Sequence, residues 1–191
     1  MKKIIFTILL FSQMMSAQDS TYVSSLAGKK NELRVDLLSL VALSKVNLSY
    51  ERFLNKDFSV GLSLNYANSK SVIEDFDEGN RNNMPKYEIT PYVRYSLSKS
   101  LIRYYFLEVF ASANGGDFRE IVRKVDNNIG YYDIQKSSYF DVAVGGSAGY
   151  KMYLKEKFAI EFLVGFGVNT IDTAKSPDVF SRVGLSFGYR F

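Results

Sequence analysis

Residues 181–191 read SRVGLSFGYRF and alternate between two kinds of side chain. The apolar series comprises Val183, Leu185, Phe187, Tyr189 and Phe191. The intervening series comprises Arg182, Gly184, Ser186, Gly188 and Arg190. A period of two residues is typical of a β-strand whose faces meet different surroundings. The pattern therefore predicts a strand with an apolar environment on one side and a polar, sterically tight one on the other.

The same alternation recurs along the chain and predicts eight strands. They cover residues 32–41, 45–53, 58–68, 86–97, 102–113, 138–153, 157–169 and 179–191. Short turns (LNKD, SLSKSL and LKEK) alternate with long polar connections at residues 69–85, 114–137 and 170–178. Such alternation is typical of an up-and-down barrel whose two ends differ. The first connection is an exception, because it is short on the long-connection side.

The two strand faces differ in charge. The apolar face has no formal charge at its centre, whereas the other face carries six acids and six bases. These are Arg34, Asp36, Lys45, Glu51, Glu88, Arg94, Glu108, Asp141, Lys151, Glu161, Arg182 and Arg190. Small residues lie between the charges, so little apolar bulk is expected on that face. An exposed apolar sheet would aggregate in water, and hydrocarbon cannot satisfy a free sheet edge. We therefore predict an all-β, eight-stranded antiparallel transmembrane β-barrel with charges in the lumen.

The first residues have the composition of a cleavable signal peptide. Two lysines precede a short apolar run at residues 4–11, followed by small residues near Ala17. We predict a signal peptide at residues 1–17, an N-terminal periplasmic lead-in at 18–31 and an outer-membrane barrel at 32–191.

Composition excludes several kinds of chemistry. The chain has no histidine and no cysteine, which removes imidazole bases, thiol nucleophiles and their metal sites. No enzymatic activity, cofactor or metal is expected, and the acidic stretch at residues 74–78 is interpreted as a solvated loop. A net charge of +4 is too small to indicate nucleic-acid binding.

With its leader, eight strands and alternating terminal segment, the chain resembles small outer-membrane barrels of the OmpA-barrel, OmpX and OmpW types. The series Val183, Leu185, Phe187, Tyr189 and Phe191 is similar to the signal read by the barrel-assembly machinery. The resemblance implies insertion by that machinery into the outer membrane of a Gram-negative-type envelope, among outer-membrane lipid and lipopolysaccharide. Long loops are then expected to be extracellular and short turns periplasmic.

An eight-stranded barrel is just wide enough for side chains to fill it. We therefore expect a charge-plugged lumen and a structural, adhesion or partner-binding role. The alternatives are a narrow conduit for small, including apolar, molecules, as in OmpW-like barrels, and an accessory subunit of a larger outer-membrane complex. Strands five and six are expected to extend as a hairpin. The hairpin is interpreted as a solvated one with no ligand, and the alternative hypothesis is that it binds an outer-membrane protein partner. Its candidate contact residues are Ile121, Val125, Tyr131, Tyr132 and Ile134.

Overall fold

The computed structural model describes residues 24–42, 44–126 and 129–191, so the predicted signal peptide lies outside the described residues. The strands are β1 (Asn31–Asp36), β2 (Lys45–Phe53), β3 (Phe58–Ala67), β4 (Asn83–Ser96), β5 (Arg103–Asp126), β6 (Ile129–Leu154), β7 (Phe158–Asn169) and β8 (Val179–Arg190). Each strand pairs antiparallel with the next, and β8 pairs with β1. The predicted eight-stranded closed barrel is confirmed.

The barrel closes through its first and last strands. Glu32 lies opposite Arg190, and the register continues to Asp36 opposite Ser186. Just beyond these pairs, the N–H of Phe191 donates to Asn31 O at 2.8 Å, and the N–H of Asn31 donates to Phe191 O at 3.0 Å. The alternating segment 181–191 is thus hydrogen-bonded on both edges, as a closed sheet requires.

The first strand is shorter than predicted. The alternation predicted a strand over residues 32–41, but β1 ends at Asp36 and helix α1 (Leu37–Ala42) follows. The Asp36 carboxylate accepts hydrogen bonds from the N–H of Leu38 at 3.0 Å and of Ser39 at 3.2 Å. These bonds satisfy N–H groups that are unpaired at a helix start. The local cap therefore overrides the alternating pattern.

The connection between β3 and β4 also contains a helix. Helix α2 (Lys70–Glu78) covers the acidic stretch that was interpreted as a loop, so that interpretation was wrong. The helix ends at Gly79, whose φ of +90° is a left-handed conformation that glycine adopts without a steric cost. Among the described residues, neither helix is long and apolar enough to cross a membrane.

Strands β5 and β6 extend well beyond their neighbours. The β4–β5 ladder reaches only Phe118, and the β6–β7 ladder begins at Ala143. Beyond these residues, β5 and β6 continue pairing as a two-stranded ribbon, up to Asp126 opposite Ile129. The expected extension of strands five and six is present, and both strands are longer than the predicted spans 102–113 and 138–153.

The outer wall of the barrel is apolar. Exposed apolar side chains occur on all eight strands, including Leu64, Val93, Leu107 and Val183. Outward aromatic side chains form contacting pairs near the short turns, with ring centroids 4.9 Å apart for Tyr105 and Tyr150. An apolar wall bordered by aromatic residues is typical of a transmembrane β-barrel.

Candidate functional site: the closed lumen and the protruding ribbon

A cluster of charged side chains crosses the middle of the lumen. It contains four bases and four acids, so its formal charges balance. Its members are Glu32, Arg34, Glu51, Arg94, Glu108, Lys151, Glu161 and Arg182. Seven of them are among the twelve predicted lumen charges, and Glu32 was not predicted. Each comes from the inward face of a strand, and every described strand except β3 contributes a charge to these contacts.

Lys151 lies at the centre of three carboxylates and is fully buried. Its Nζ is 2.8 Å from Glu32 Oε1, 2.8 Å from Glu51 Oε2 and 2.9 Å from Glu161 Oε2. Oxygens of these three carboxylates lie within 4.8 Å of one another, as the ligands of a cation would. The ammonium group itself provides the positive charge at this position, so the three acids form an ion-pair cluster built around a lysine.

Arg94 connects this centre to the opposite wall. Its Nε donates to Glu108 Oε2 at 2.6 Å, and its terminal nitrogens donate to both oxygens of Glu161 at 2.7 and 2.9 Å. The guanidinium carbon also lies 4.6 Å from the ring centroid of Tyr92 and 4.3 Å from that of Phe106. Planar, forked contacts of this kind hold a guanidinium in one orientation. The side chain therefore crosses the lumen as a fixed bridge.

Two predicted lumen acids accept hydrogen bonds from backbone N–H groups at the long-connection end of the barrel. Asp36 caps helix α1, and its Oδ1 also accepts from the N–H of Leu185 at 3.1 Å. Asp141 accepts from three consecutive backbone N–H groups of the β7–β8 connection, at residues 170–172, at 2.8 to 2.9 Å. Ser176 Oγ donates to the same carboxylate at 2.6 Å. The described contacts thus join these acids to backbone and hydroxyl donors outside the central cluster.

The remaining three predicted charges lie at the ends of the barrel. Lys45 Nζ and Glu88 Oε1 are 3.8 Å apart near the long connections. Arg190 lies near the short turns, where its Nε donates to Lys29 O at 2.9 Å. Its guanidinium carbon is 3.5 Å from the ring centroid of Phe53. The twelve predicted residues therefore divide into one central cluster and two end groups.

Aromatic side chains fill the lumen on either side of the charged cluster, contrary to the expectation of little apolar bulk. Buried inward aromatic residues include Tyr92, Tyr104, Phe106, Phe110, Tyr139, Tyr153 and Phe180. Glycines directly opposite Phe106 and Phe110 on the neighbouring strand β6 make room for their rings. A Cβ built on Gly149 would lie 2.3 Å from Phe106 Cζ, and one on Gly145 would lie 2.6 Å from Phe110 Cζ. The small residues noted in the sequence therefore complement large ones.

The segment before β1 closes the short-turn end. Leu26 is fully buried against Tyr104, Phe106 and Tyr153, and its carbonyl accepts from Arg190 Nη2 at 3.3 Å. The segment predicted as a lead-in at residues 18–31 thus reaches the barrel interior in its described part, residues 24–31. No local pattern in the sequence indicated this packing, because its partners are more than 70 residues away.

The ribbon has two different faces. Cross-strand pairs place Ile121 opposite Ile134, and Tyr132 opposite Arg123. Val125 lies on this same face, since side chains two residues apart share a side of a strand. Tyr131 lies opposite Lys124 on the other face. Four of the five candidate contact residues therefore share one exposed face of the ribbon with Arg123, and Tyr131 lies apart from them on the other face. Arg119 and Lys136 separate this face from the outer wall of the barrel.

Helix α2 packs against the base of the ribbon. Phe76 is buried, and the Lys136 ammonium lies 5.4 Å from its ring centroid. Arg119 donates to the carbonyls of Phe76 and Asp77, the latter at 2.9 Å, where a cation interacts favourably with the helix dipole. A hydrogen bond from Lys136 lowers the pKa of the exposed Asp77 carboxyl. A lowered pKa means that this contact is present above the ordinary aspartate pKa and is lost on acidification.

The predicted assembly residues lie on the outside of the barrel. Val183, Leu185, Phe187 and Tyr189 project from the outer face of β8, and all are partly exposed. Phe191 follows the strand, and its ring lies 6.2 Å from that of Tyr189 in a stacked arrangement. The apolar series is thus presented as one strip.

Several solved structures are similar in overall shape to this chain. The N-terminal β-barrel domain of Pseudomonas aeruginosa OprF is 12% identical with a TM-score of 0.49, covering 85% of this chain and 98% of that one. The attachment invasion locus protein Ail of Yersinia pestis is 13% identical with a TM-score of 0.46, covering 85% and 99%. Neisserial surface protein A is 12% identical with a TM-score of 0.47, covering 84% and 93%.

A search of curated proteins found no match. A family model, in contrast, matches residues 4–182, which is most of the sequence and includes nearly all of the barrel. The chain belongs to the DUF3575 family, described as proteins of unknown function.

Proposed function

We propose that this protein is a non-enzymatic outer-membrane barrel with a closed lumen, which displays the β5–β6 ribbon as a binding element. The charged cluster is the observation that carries the proposal. Lys151, Arg94 and Arg34 are each at most 3% exposed. Lys151 and Arg94 each contact Glu51 of β2 and Glu161 of β7, and Arg34 contacts the same two carboxylates. Buried aromatic side chains, and Leu26 from the segment before β1, fill the lumen around the cluster. A barrel with a filled lumen contacts its partners through its rim and its outer wall.

The outer wall supports placement in a membrane. Side chains such as Val109, Phe162 and Phe166 are more than half exposed although they are apolar. A lipid environment covers such a wall, and closure of the sheet leaves no free edge within the spanning region. We infer that the signal peptide directs export and that the apolar series of β8 serves in barrel assembly. The long connections then face the cell exterior and the short turns face the periplasm.

The ribbon supports a binding role. Tyr132 is 75% exposed and Ile121 is 69% exposed, on a two-stranded segment outside the apolar wall of the barrel. Exposed apolar side chains next to unpaired strand edges favour strand addition by a partner. The exposed pair of Lys124 and Asp133 on the opposite face, with Nζ and Oδ2 2.5 Å apart, keeps that face polar. The apolar face is therefore the proposed contact surface for a protein partner.

Photocrosslinking tests this role in cells that express the protein. A benzoylphenylalanine at Tyr132 is expected to give a discrete protein adduct, because this position lies on the apolar face of the ribbon. The same group at Tyr131 serves as a matched control on the polar face of the same strand. Electrophoresis and mass spectrometry of the adducts provide the measurement.

A variant with Ile121→Ser and Ile134→Ser separates specific binding from chance proximity. Both side chains are exposed, so the barrel is expected to stay folded while the Tyr132 adduct is lost. Equal adducts at positions 131 and 132, or an adduct that survives both serine substitutions, would count against a binding role for the ribbon.

A further inference from the structure

A cavity of about 320 Å³ lies at the long-connection end, where helix α2 meets the end of β3 and the start of β4. Its lining combines three basic side chains with a larger number of apolar ones. The lining residues central to the argument are Lys45, Arg81, Lys86, Tyr66, Val72 and Met84. This composition distinguishes it from the lumen, where charges balance within a central cluster.

The basic side chains give the cavity a positive character. Lys86 Nζ lies 2.6 Å from Asp117 Oδ2. Lys45 Nζ lies 3.8 Å from Glu88 Oε1, which is longer than a charge-assisted hydrogen bond, so the Lys45 ammonium can still form a shorter contact with an anionic ligand. Arg81 Nε donates to Asn83 O at 2.8 Å, which anchors the side chain through one of its nitrogens. Three bases beside two acids leave an excess of one positive charge.

The cavity opens at the rim of the barrel wall. Tyr66 is 60% exposed on the outer face of β3, opposite Tyr87 on β4, whereas Lys45 belongs to the lumen face of β2. Tyrosines on the outer wall near a barrel rim are typical of the boundary between hydrocarbon and headgroups. The cavity therefore places Lys45, on the lumen face, close to the outward-facing Tyr66 at the rim of the barrel.

We propose that this cavity binds the phosphate headgroup of an anionic lipid from the leaflet next to the long connections. Lys45, Arg81 and Lys86 contact the phosphate, and the start of an acyl chain lies along Tyr66 and Val72. Basic pockets at the membrane surface bind lipid headgroups through charge-assisted hydrogen bonds. The inference rests on the membrane placement proposed above.

Fluorescence quenching by brominated lipids tests the proposal. The chain has no tryptophan, so Tyr66→Trp introduces a single tryptophan at the cavity, whose fluorescence can be excited selectively over that of the tyrosines. Tyr95→Trp places the same fluorophore on the outer wall near the short turns. The protein is refolded in vesicles that contain brominated phosphatidylglycerol or brominated phosphatidylcholine in defined mixtures. We expect about a fivefold preference for phosphatidylglycerol at position 66 and none at position 95.

Removal of the cavity charges provides the decisive comparison. In the Tyr66→Trp background, the triple variant Lys45→Gln, Arg81→Gln, Lys86→Gln is expected to lose the preference. The matched variant Lys56→Gln, Lys99→Gln, Lys157→Gln changes the same charge near the short turns and is expected to keep it. The single variant Arg81→Gln, expected to weaken the preference, provides the test if the triple variant does not refold.

Three results would overturn the lipid site. They are equal preferences at positions 66 and 95, a preference that survives the triple substitution, and a preference abolished by millimolar inorganic phosphate, which would indicate a site for a free anion. Failure of the membrane placement gives a different result, because neither lipid would then quench the fluorophore at position 95.

Discussion

Lys151→Met is expected to destabilise the barrel by about 3 to 5 kcal/mol. The substitution keeps an unbranched side chain, one atom shorter, and removes the positive charge from among Glu32, Glu51 and Glu161. Three buried carboxylates would then lie close together without the ammonium that contacts all three. The free energy of unfolding is measured by urea titration of the protein in phospholipid vesicles, with heat-modifiable electrophoretic mobility as the probe of folding.

A matched lysine and a charge-restoring second substitution test the cause. Lys157 is exposed in the β6–β7 turn, so Lys157→Met is expected to change stability by less than about 0.5 kcal/mol. Adding Glu32→Gln to Lys151→Met restores a neutral cluster, and about 1 to 3 kcal/mol of the loss is expected to return. A double variant as unstable as the sum of the single variants would show that charge balance is not what Lys151 provides.

Gly149→Val is expected to destabilise the barrel by about 3 kcal/mol, at the upper end of overpacking effects. A Cβ at Gly149 would lie 2.3 Å from Phe106 Cζ and 2.6 Å from the backbone oxygen of Phe162. Phe106 is almost fully buried in the lumen, and the neighbouring strand cannot shift without breaking ladder hydrogen bonds. The same unfolding titration provides the measurement.

Gly146 on the same strand is the matched control. A Cβ built there meets only Glu108 O, at 3.5 Å, and the residue lies on the outer face. Gly146→Val is therefore expected to be tolerated, because the added methyl groups face lipid. If the two valine variants lost the same stability, the effect would reflect strand glycines in general and not the packing of Phe106.

The barrel was predictable because its signal is local. Alternation along segments such as 157–169 and 179–191, together with turns of contrasting length, indicated the strand number and closure. The assignment of each strand face followed from the same period. Seven members of the central cluster could be chosen in this way, since charges on an inward face converge in a narrow lumen.

Features that depend on a particular side-chain contact, local or distant, were not predictable from the alternation. Helix α1 replaces the end of the predicted first strand because the Asp36 side chain caps it, although the apolar spacing is compatible with a strand. Glu32 was missed although it lies two residues before Arg34 on the same strand face, so the alternation could have identified it; its contact with Lys151, 119 residues away, could not be read from the sequence. Phe106 and Phe110 lie two residues on either side of Glu108, so the alternation could have identified them as inward-facing. The burial of Leu26 by β5, β6 and β7 had no such signal.

Single-channel conductance in a planar bilayer tests the closed lumen most directly. Protein shown to be folded by its heat-modifiable mobility is expected to give a silent bilayer, because Arg94 and Lys151 connect opposite walls with no more than 3% exposure. Reproducible discrete openings, with an amplitude changed by Arg94→Ala or Glu108→Ala, would contradict this account and identify the lumen as a conduit.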